Sequence, residues 1–317
     1  MKSFQRTKAE MLSRGTLVLV VLVVLAVSRT AAQTRPTDAD RRYPLPTYDE
    51  DWRFLSDPNR RAEPWDRVKY VSLADGVFAS FGGESRETYE RFGHENFGLS
   101  LPSPNGYLLQ RYLLHADIHV GSRLRLWTEL NSSFETGRVG GPRPVVDEDK
   151  LDLHQGFVEF EIVQRPRVTA RVRGGRRRST SGPDDCIHCA KVNSFFQSGE
   201  YSGRAGLLGA SNSIRLEPTL TLAPRRNVSL STGWGFYWRE SEQDGLYGIP
   251  GNLIVPSNGV PGHYEGSRPI AEVAWTLNPH LSVHLDYIFV FNGQFEEQSV
   301  HATKTESYIS PRITCRF

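Results

Sequence analysis

The chain has 317 residues, with 38 Lys and Arg against 36 Asp and Glu, and only three cysteines. The balanced charge offers no overall attraction to nucleic acid, and three cysteines are too few for a disulfide framework. Beyond residue 27 the apolar runs are only a few residues long, which excludes a bundle of membrane-spanning helices but not a membrane β-barrel, whose strands face lipid at every second residue.

Residues 1–32 are typical of a secretory signal peptide. A basic start is followed by the twelve-residue run TLVLVVLVVLAV at 16–27 and by the small-residue exit SRTAAQ. The alternative is an uncleaved anchor. It is disfavoured because twelve residues at about 1.5 Å each cannot cross roughly 30 Å of hydrocarbon. Cleavage after Ala32 would remove five Lys and Arg and one Glu, which leaves a mature protein close to neutral.

We therefore predict that the mature protein begins at Gln33. Amino-terminal sequencing of the protein from the membrane fraction should read Gln-Thr-Arg-Pro, because signal peptidase cuts after a small residue that follows the apolar run. A chain that still starts at Met1 would show that the leader is retained as an anchor.

Residues 33–73 are rich in Pro, Asp, Arg and Trp and show neither helical nor strand periodicity. They are predicted to form an extended N-terminal segment that leads into the main domain, residues 74–317.

The main domain shows a persistent two-residue period. Residues 111–120 place Tyr112 and Leu114 on an apolar face and Arg111 and Asp117 on a polar one, and residues 123–131 repeat the arrangement. Gly121 and Ser122 alone separate the two stretches, which predicts a tight hairpin. Similar alternation recurs at 157–162, 167–173, 227–239 and 281–291, and more weakly near 76–91, 213–223 and 267–278. The sequence therefore predicts about ten strands.

The predicted connections alternate between short turns and long loops, the long ones at about 137–150, 240–266 and 293–302. Strands of about ten residues joined in this way are typical of outer-membrane proteins. The predicted fold class is thus an all-β, antiparallel transmembrane β-barrel. A soluble β-sandwich is the alternative. Aromatic residues near strand ends suit interfacial girdles; the candidates are Trp127, Trp238, Trp275 and Tyr287.

The last twelve residues, ESYISPRITCRF, alternate in the same way and end on Phe317. A terminal aromatic after such a strand resembles the sorting and insertion signal of bacterial outer-membrane proteins. Pro311 within the strand is a mild objection, because proline donates no hydrogen bond to a ladder.

No catalytic or metal-binding arrangement stands out. Glu159 and Glu161 lie on one strand face, whereas a catalytic acid and base normally come from different elements that face a cleft. Cys186 and Cys189 form a CxxC without a second ligand pair, which favours a local disulfide or free thiols over a zinc site. The sequence predicts no enzyme, no cofactor and no metal.

The polar strand faces carry the candidate pore residues. The residues that we single out are Arg111, Arg123, Arg125, Arg171 and Arg239, with the acidic Asp117, Glu129 and Glu159. Guanidinium groups in a narrow lumen would concentrate positive potential on a passing polyanion. Alternatively, opposite charges on adjacent strands pair and fill the barrel. Both interpretations stay open at this point.

Several stretches resemble the alginate export family of bacterial outer-membrane β-barrels. They lie at 48–73, 82–92, 106–138, 140–160, 206–222 and 244–254, and include GYLLQRYLLHADIHVGSRLRLWTELNSSFETGR. The resemblance implies a monomeric barrel of about eighteen strands in the outer membrane of a Gram-negative bacterium. It also implies passage of an anionic, alginate-like polysaccharide through a lumen lined by arginine and lysine, with outer-membrane lipid and periplasmic polysaccharide synthesis or secretion components as partners.

Residues 174–204 depart from the family pattern, because they lose the alternation and contain two of the three cysteines. A middle block of strands is missing relative to the family, and a deletion and an out-of-frame stretch both explain it. Two functions therefore stay open, a pore for polysaccharide export and a non-conducting structural or binding barrel. A soluble periplasmic carbohydrate-binding sandwich is less favoured.

Overall fold

A computed structural model describes residues 41, 43–44, 47–100, 103–142, 147–165, 168–176, 211–248, 252–302 and 304–317. The predicted leader, the CxxC and most of the irregular stretch at 174–204 lie outside these described residues. Within them, no helix is long and apolar enough to cross a membrane.

Strands dominate the described residues. They are β1 (Val71–Ala74), β2 (Val77–Gly93), β3 (Asn105–Val120), β4 (Leu124–Thr136), β5 (Asp149–Arg165), β6 (Val168–Arg176), β7 (Ile214–Leu216), β8 (Thr219–Arg225), β9 (Val228–Trp238), β10 (Leu246–Tyr247), β11 (Leu253–Val255), β12 (Tyr264–Asn278), β13 (Leu281–Asn292) and β14 (Glu306–Arg316). Short helices are α1 (Asp66–Lys69) and α2 (Gln294–Val300), and 3-10 turns lie at Thr47–Asp49, Arg53–Ser56 and Pro58–Arg60.

Twelve of these strands form one antiparallel sheet in the order β6-β5-β4-β3-β2-β14-β13-β12-β9-β7, with β1 on β2 and β8 on β9. Neighbours in the sheet are mostly neighbours in sequence, and the first long strand pairs with the last, as in an up-and-down barrel. The two free edges, at β6 and at β7 and β8, flank residues 177–210, which are not described. The predicted strands near 76–91, 213–223 and 267–278 are confirmed.

The connections separate the sheet into two ends. Short turns join β3 to β4, β5 to β6, β8 to β9 and β12 to β13 at one end, which we call the short-turn end. Long connections after β2, β4, β9 and β13 lie at the other, the long-loop end. Between Val120 and Leu124 the predicted hairpin is present, and Gly121 adopts a positive φ of 61° there.

The two faces of the sheet are inverted relative to a soluble protein. Apolar side chains are exposed on one face, which we call the outer face, and include Leu114, Leu130, Phe134, Val158, Phe160, Leu230, Trp234, Tyr287 and Ile309. Polar side chains are buried on the opposite, inner face, and include His115, Asp117, Glu129, Asn131, Ser133, Glu159, Asp286, Ser310 and Thr314. An extensive exposed apolar face around a polar interior is what a membrane barrel requires. The predicted fold class is confirmed, and the soluble-sandwich alternative does not fit.

Residues 43–44 and 47–70 are the described part of the predicted N-terminal segment; we call them the N-terminal segment from here on, and they lie against the inner face at the short-turn end. Tyr43 contacts His280 in the β12–β13 turn with 5.2 Å between ring centroids, and the Arg173 guanidinium of β6 lies 5.4 Å from the ring of Tyr48. These contacts place the segment against both β6 and the β12–β13 turn, which are six strand positions apart in the order of the sheet.

The C-terminal strand is an interior strand between β13 and β2. Its pairing with β2 keeps one register on either side of Pro311, from Ile309 opposite Arg91 to Arg312 opposite Thr88. Phe317 continues the ladder through two 3.1 Å backbone hydrogen bonds with Gly83. The proline is therefore tolerated at the cost of local ladder bonds.

The girdle prediction was wrong for one aromatic residue. Trp275 and Tyr287 are exposed on the outer face, as expected, but Trp127 is 3% exposed and lies on the inner face. Its ring stacks on His115 at 4.7 Å. In the alternation of β4, Trp127 shares its face with Arg125 and Glu129, so its phase, and not its residue type, decides its position.

Candidate functional site

A cavity of about 360 Å³ lies at the short-turn end, between the N-terminal segment and strands β2 to β6. The segment contributes Tyr48, Asp49, Glu50, Asp51, Trp52 and Arg53, and the sheet contributes Phe78, Ser80, Asp117, His119, Gly121, Ser122, Arg123, Leu124, Arg125, Glu159, Glu161 and Arg171. Five of the eight predicted pore residues thus come together around one space. Six carboxylates and four guanidinium groups face this cavity, so its lining carries both charges with a small excess of negative charge.

Arg125 is the most constrained guanidinium of the cavity. Its Nε and Nη2 each donate to Asp117 at 2.8 Å, and Nη2 also donates to the backbone carbonyl of Tyr48 at 2.6 Å. His119 approaches the same carboxylate, with 3.1 Å between Nε2 and Oδ2. A bidentate pair of this kind fixes geometry as well as charge. Arg125 therefore ties the N-terminal segment to β3 and β4.

Arg123 and Arg171 are exposed at the rim of the cavity. Arg123 lies in the β3–β4 turn, where its carbonyl accepts a 2.8 Å hydrogen bond from the backbone of Glu161. Arg171 donates to Glu161 at 3.2 Å and lies 3.9 Å from Glu159. Glu159 is itself bound by Arg173. Because exposed ion pairs are weak, Arg123 and Arg171 are available to a solute, as is the exposed Arg53 of the N-terminal segment.

Arg111 belongs to a separate cluster halfway along β3. Glu84, with its side chain 3% exposed, faces three guanidinium groups: Arg111 at 2.6 Å, Arg316 at 2.9 Å and Arg86 at 3.0 Å. Three positive charges around one carboxylate leave a local excess of positive charge on the inner face.

Glu129 serves to hold the N-terminal segment. It accepts hydrogen bonds from Thr47 Oγ1 at 2.7 Å and from Gln155 Nε2 at 2.9 Å, and it is 2% exposed. This carboxylate bridges the segment and two strands.

Arg239 lies at the opposite end from the cavity. It follows the last residue of β9, is fully buried, and donates to the backbone carbonyls of Glu242, Asp244, Val260 and Gly262. Its guanidinium carbon lies 3.5 Å from the ring centroid of Phe295. This arginine organises the loop after β9.

An apolar cluster fills the inner face at the long-loop end. It contains Phe92, Phe97, Tyr107, Leu109, Leu246, Val255, Ile270, Ile288, Val290, Phe295, Ala302 and Tyr308. Glu296 of α2 is buried beside it, and this burial raises the pKa of its carboxyl to about 8. Loops therefore cover the inner face at this end.

Within the described ranges, no group of three or more His, Cys, Asp and Glu side chains is arranged to hold a metal ion. The arrangement of paired charges around a cavity suits reversible contact with a charged, hydrophilic solute.

One family model matches most of the sequence. The model described as Alginate export matches residues 77–193 and 188–310. The chain belongs to the alginate export family. No curated protein matches it in sequence.

Three solved structures are similar to this alginate export family chain. They are the COG4313 outer membrane channel from Pseudomonas putida F1 (10% identity, 81% of this chain and 100% of that chain, TM-score 0.26), Salmonella typhi OmpF in complex with daunomycin (8%, 78% and 100%, TM-score 0.38) and Neisserial surface protein A (10%, 75% and 99%, TM-score 0.21). The low TM-scores mean that these likenesses carry no argument about the site.

Sequence reasoning missed the contribution of the N-terminal segment to the site of this alginate export family member. Tyr48, Asp51 and Arg53 line the cavity, and Arg53 is bound to Asp51 through Nε at 2.9 Å. The density of aromatic and charged residues in YDEDWRF was the available signal, because a solvated linker seldom needs Tyr and Trp.

His280 gives the segment a pH-dependent contact outside the strands. Burial is the largest single influence and lowers the pKa of His280, but the hydrogen bonds to Glu63 of the N-terminal segment at 3.0 Å and to the Arg316 carbonyl, together with the charge of Glu63, outweigh burial and raise the pKa. The stabilisation is complete below the unfolded value near 6.5 and is lost as pH rises through the raised pKa. We expect the free energy of unfolding, measured by thermal unfolding, to fall by less than about 1 kcal/mol across this range. His280→Gln should remove that part of the pH dependence, and an unchanged profile would contradict the contact.

Proposed function

We propose that this chain is an outer-membrane pore through which an anionic, alginate-like polysaccharide passes by passive diffusion. In this proposal the leader is cleaved after Ala32, the barrel is a monomer, outer-membrane lipid surrounds its outer face, and periplasmic polysaccharide synthesis or secretion components deliver the polymer. Family membership and the inverted faces of the sheet support a channel in that membrane.

The observation that carries the proposal is the set of guanidinium groups around the short-turn cavity. Arg53, Arg123 and Arg171 are exposed there, and Arg125 lies just below them. Guanidinium groups bind carboxylates bidentately, and each uronate unit of an alginate-like polymer carries one carboxylate. The carboxylates in the same lining compete for the arginines, so that each contact with the polymer stays weak and the polymer can move on.

A non-conducting structural or binding barrel is the second candidate, and two observations favour it. Arg111 and Arg125 are each paired with a buried carboxylate, and both ends of the inner face are covered, by the N-terminal segment and by the apolar loop cluster. In this conformation the inner face is closed, so a pore would have to open.

Substitution of Arg123 tests the pore directly. Arg123→Ser should lower the permeability ratio of anions to cations in reversal-potential measurements, with little loss of stability, because Arg123 is exposed. The effect should be stronger at low salt, where the Debye length is longer. Arg226→Ser is a control, because Arg226 is an exposed turn residue at the same end that does not line the cavity.

Arg125→Ser separates the two candidate functions. It should destabilise the fold, because Asp117 would lose its bidentate partner. If the wild type shows no steady conductance under any condition and Arg125→Ser only weakens folding, the pore is wrong and the structural barrel remains.

A further inference from the structure

We propose that the N-terminal segment is a plug that closes the pore at the short-turn end and must leave the inner face before a polymer passes. This inference goes beyond the proposed pore and rests on it.

A buried charge cluster anchors the segment. Lys69 Nζ donates to Glu50 Oε2 at 2.9 Å, Trp52 Nε1 donates to the same oxygen at 2.7 Å, and His115 Nε2 of β3 lies 3.6 Å from it. Lys69 is fully buried, with Nζ 4.7 Å from the ring of Trp52. Burial would raise the pKa of Glu50, but His115 and Lys69 outweigh it and lower the pKa.

The inner face of the sheet leaves a space for this charge cluster at Gly82 of β2. Gly82 of β2 lies opposite Lys69 and His115, and a Cβ at this position would overlap Lys69 Nζ and lie 2.5 Å from His115 Nε2. The sheet thus has no side chain where the ammonium group sits. A glycine inside a strand weakens the strand, and close approach of another group is a usual reason for it.

An aromatic contact forms the second anchor. Tyr48 is 3% exposed and meets the rings of Trp127 and Phe157 edge-on, at 6.4 and 5.9 Å. Thr47 is hydrogen-bonded to Glu129 beside it. These contacts hold the segment across β4 and β5.

The same contacts allow release at a moderate cost. Glu50 and Lys69 both belong to the segment, so this buried ion pair can leave intact, and His115 of β3 loses its contact with Glu50. The backbone bonds of the segment are largely its own turns, such as Glu50 N to Thr47 O and Leu55 N to Trp52 O, so they survive release. Within the described residues the segment continues into the sheet at β1, and this junction is therefore the hinge.

Thiol labelling measures release without requiring conductance. In a background with Cys186, Cys189 and Cys315 changed to Ser, Leu55→Cys, at a segment residue that is 0% exposed, reports exposure of the segment to a hydrophilic maleimide in protein reconstituted into phospholipid vesicles. Adding Gly82→Ala should accelerate labelling roughly tenfold, because overpacking displaces Lys69. Adding Gly174→Ala should leave the rate unchanged, because a Cβ at Gly174 in β6 meets nothing within 4 Å.

Cross-linking tests whether release opens the pore. In Thr47→Cys/Glu129→Cys, a short bifunctional methanethiosulfonate should abolish conductance in planar bilayers, and reduction should restore it. Equal labelling rates for Gly82→Ala and its parent, or conductance unaffected by the cross-link, would overturn the plug. If Gly82→Ala accelerates labelling but no variant conducts in planar bilayers, the segment is releasable and the proposed pore is contradicted.

Discussion

Glu84→Gln is expected to lower the free energy of unfolding by about 3–5 kcal/mol, because it removes the one carboxylate that balances three partly buried guanidinium groups. Arg86, Arg111 and Arg316 lie within 3.0 Å of Glu84. Urea unfolding of the protein in phospholipid vesicles measures the loss. If the variant still inserts, the freed arginines should also raise the preference for anions.

Glu87→Gln is the matched control for this substitution. Glu87 lies on the same strand but faces outward. Its carboxylate accepts a hydrogen bond from Tyr112 at 3.0 Å, and among the described residues no guanidinium group is one of its hydrogen-bond partners. Neutralising it should leave stability nearly unchanged or improve it, because a charge facing lipid is costly. Equal stability of the two variants would show that water, and not Glu84, balances the arginine cluster.

Leu114→Arg is expected to cost about 2–4 kcal/mol in the same unfolding assay. Leu114 is 56% exposed on the outer face and lies in the interior of β3, between Gly83 of β2 and Leu130 of β4. A guanidinium group at this depth has no water to solvate it, which is the source of the cost.

Leu230→Arg places the same guanidinium group on the outer face, but closer to the membrane interface. Leu230 is also exposed on the outer face, but it is the third residue of β9, next to the β8–β9 turn. Charge costs fall toward the membrane interfaces, so this variant should lose about 1 kcal/mol or less. Equal tolerance of arginine at both positions would mean that the outer face does not contact lipid.

The strands and their outer faces could be predicted from the sequence, because the side that a residue faces depends only on its position in the two-residue alternation. Leu114 and Tyr112 face outward and Asp117 faces inward simply by position along β3, and lipid on one side with polar groups on the other enforces the period of two. Ion pairs such as Arg111 with Glu84 were foreseeable only as a class, since their partners depend on strand register.

The N-terminal segment was beyond the reach of such a rule. Its contacts are long-range, for example Thr47 with Glu129 and Glu63 with His280, which are 82 and 217 residues apart in sequence. The two-residue period of the sequence does not predict such contacts, because each contact depends on where the folded sheet brings distant strands. The role of Arg239 was likewise not predictable from its position along the strand. It is set by the backbone carbonyls of the loop that surrounds the side chain.

The pairing of β2 with β14 has a consequence for biogenesis. Glu84 and Arg316, which are bonded across this seam, are 232 residues apart. The seam can therefore form only after almost the whole sheet has been synthesised, which makes assembly slow. Until then β2 and β14 each present an unpaired edge that invites association with other chains. Delayed formation of the strands until β2 and β14 can pair would avoid this association.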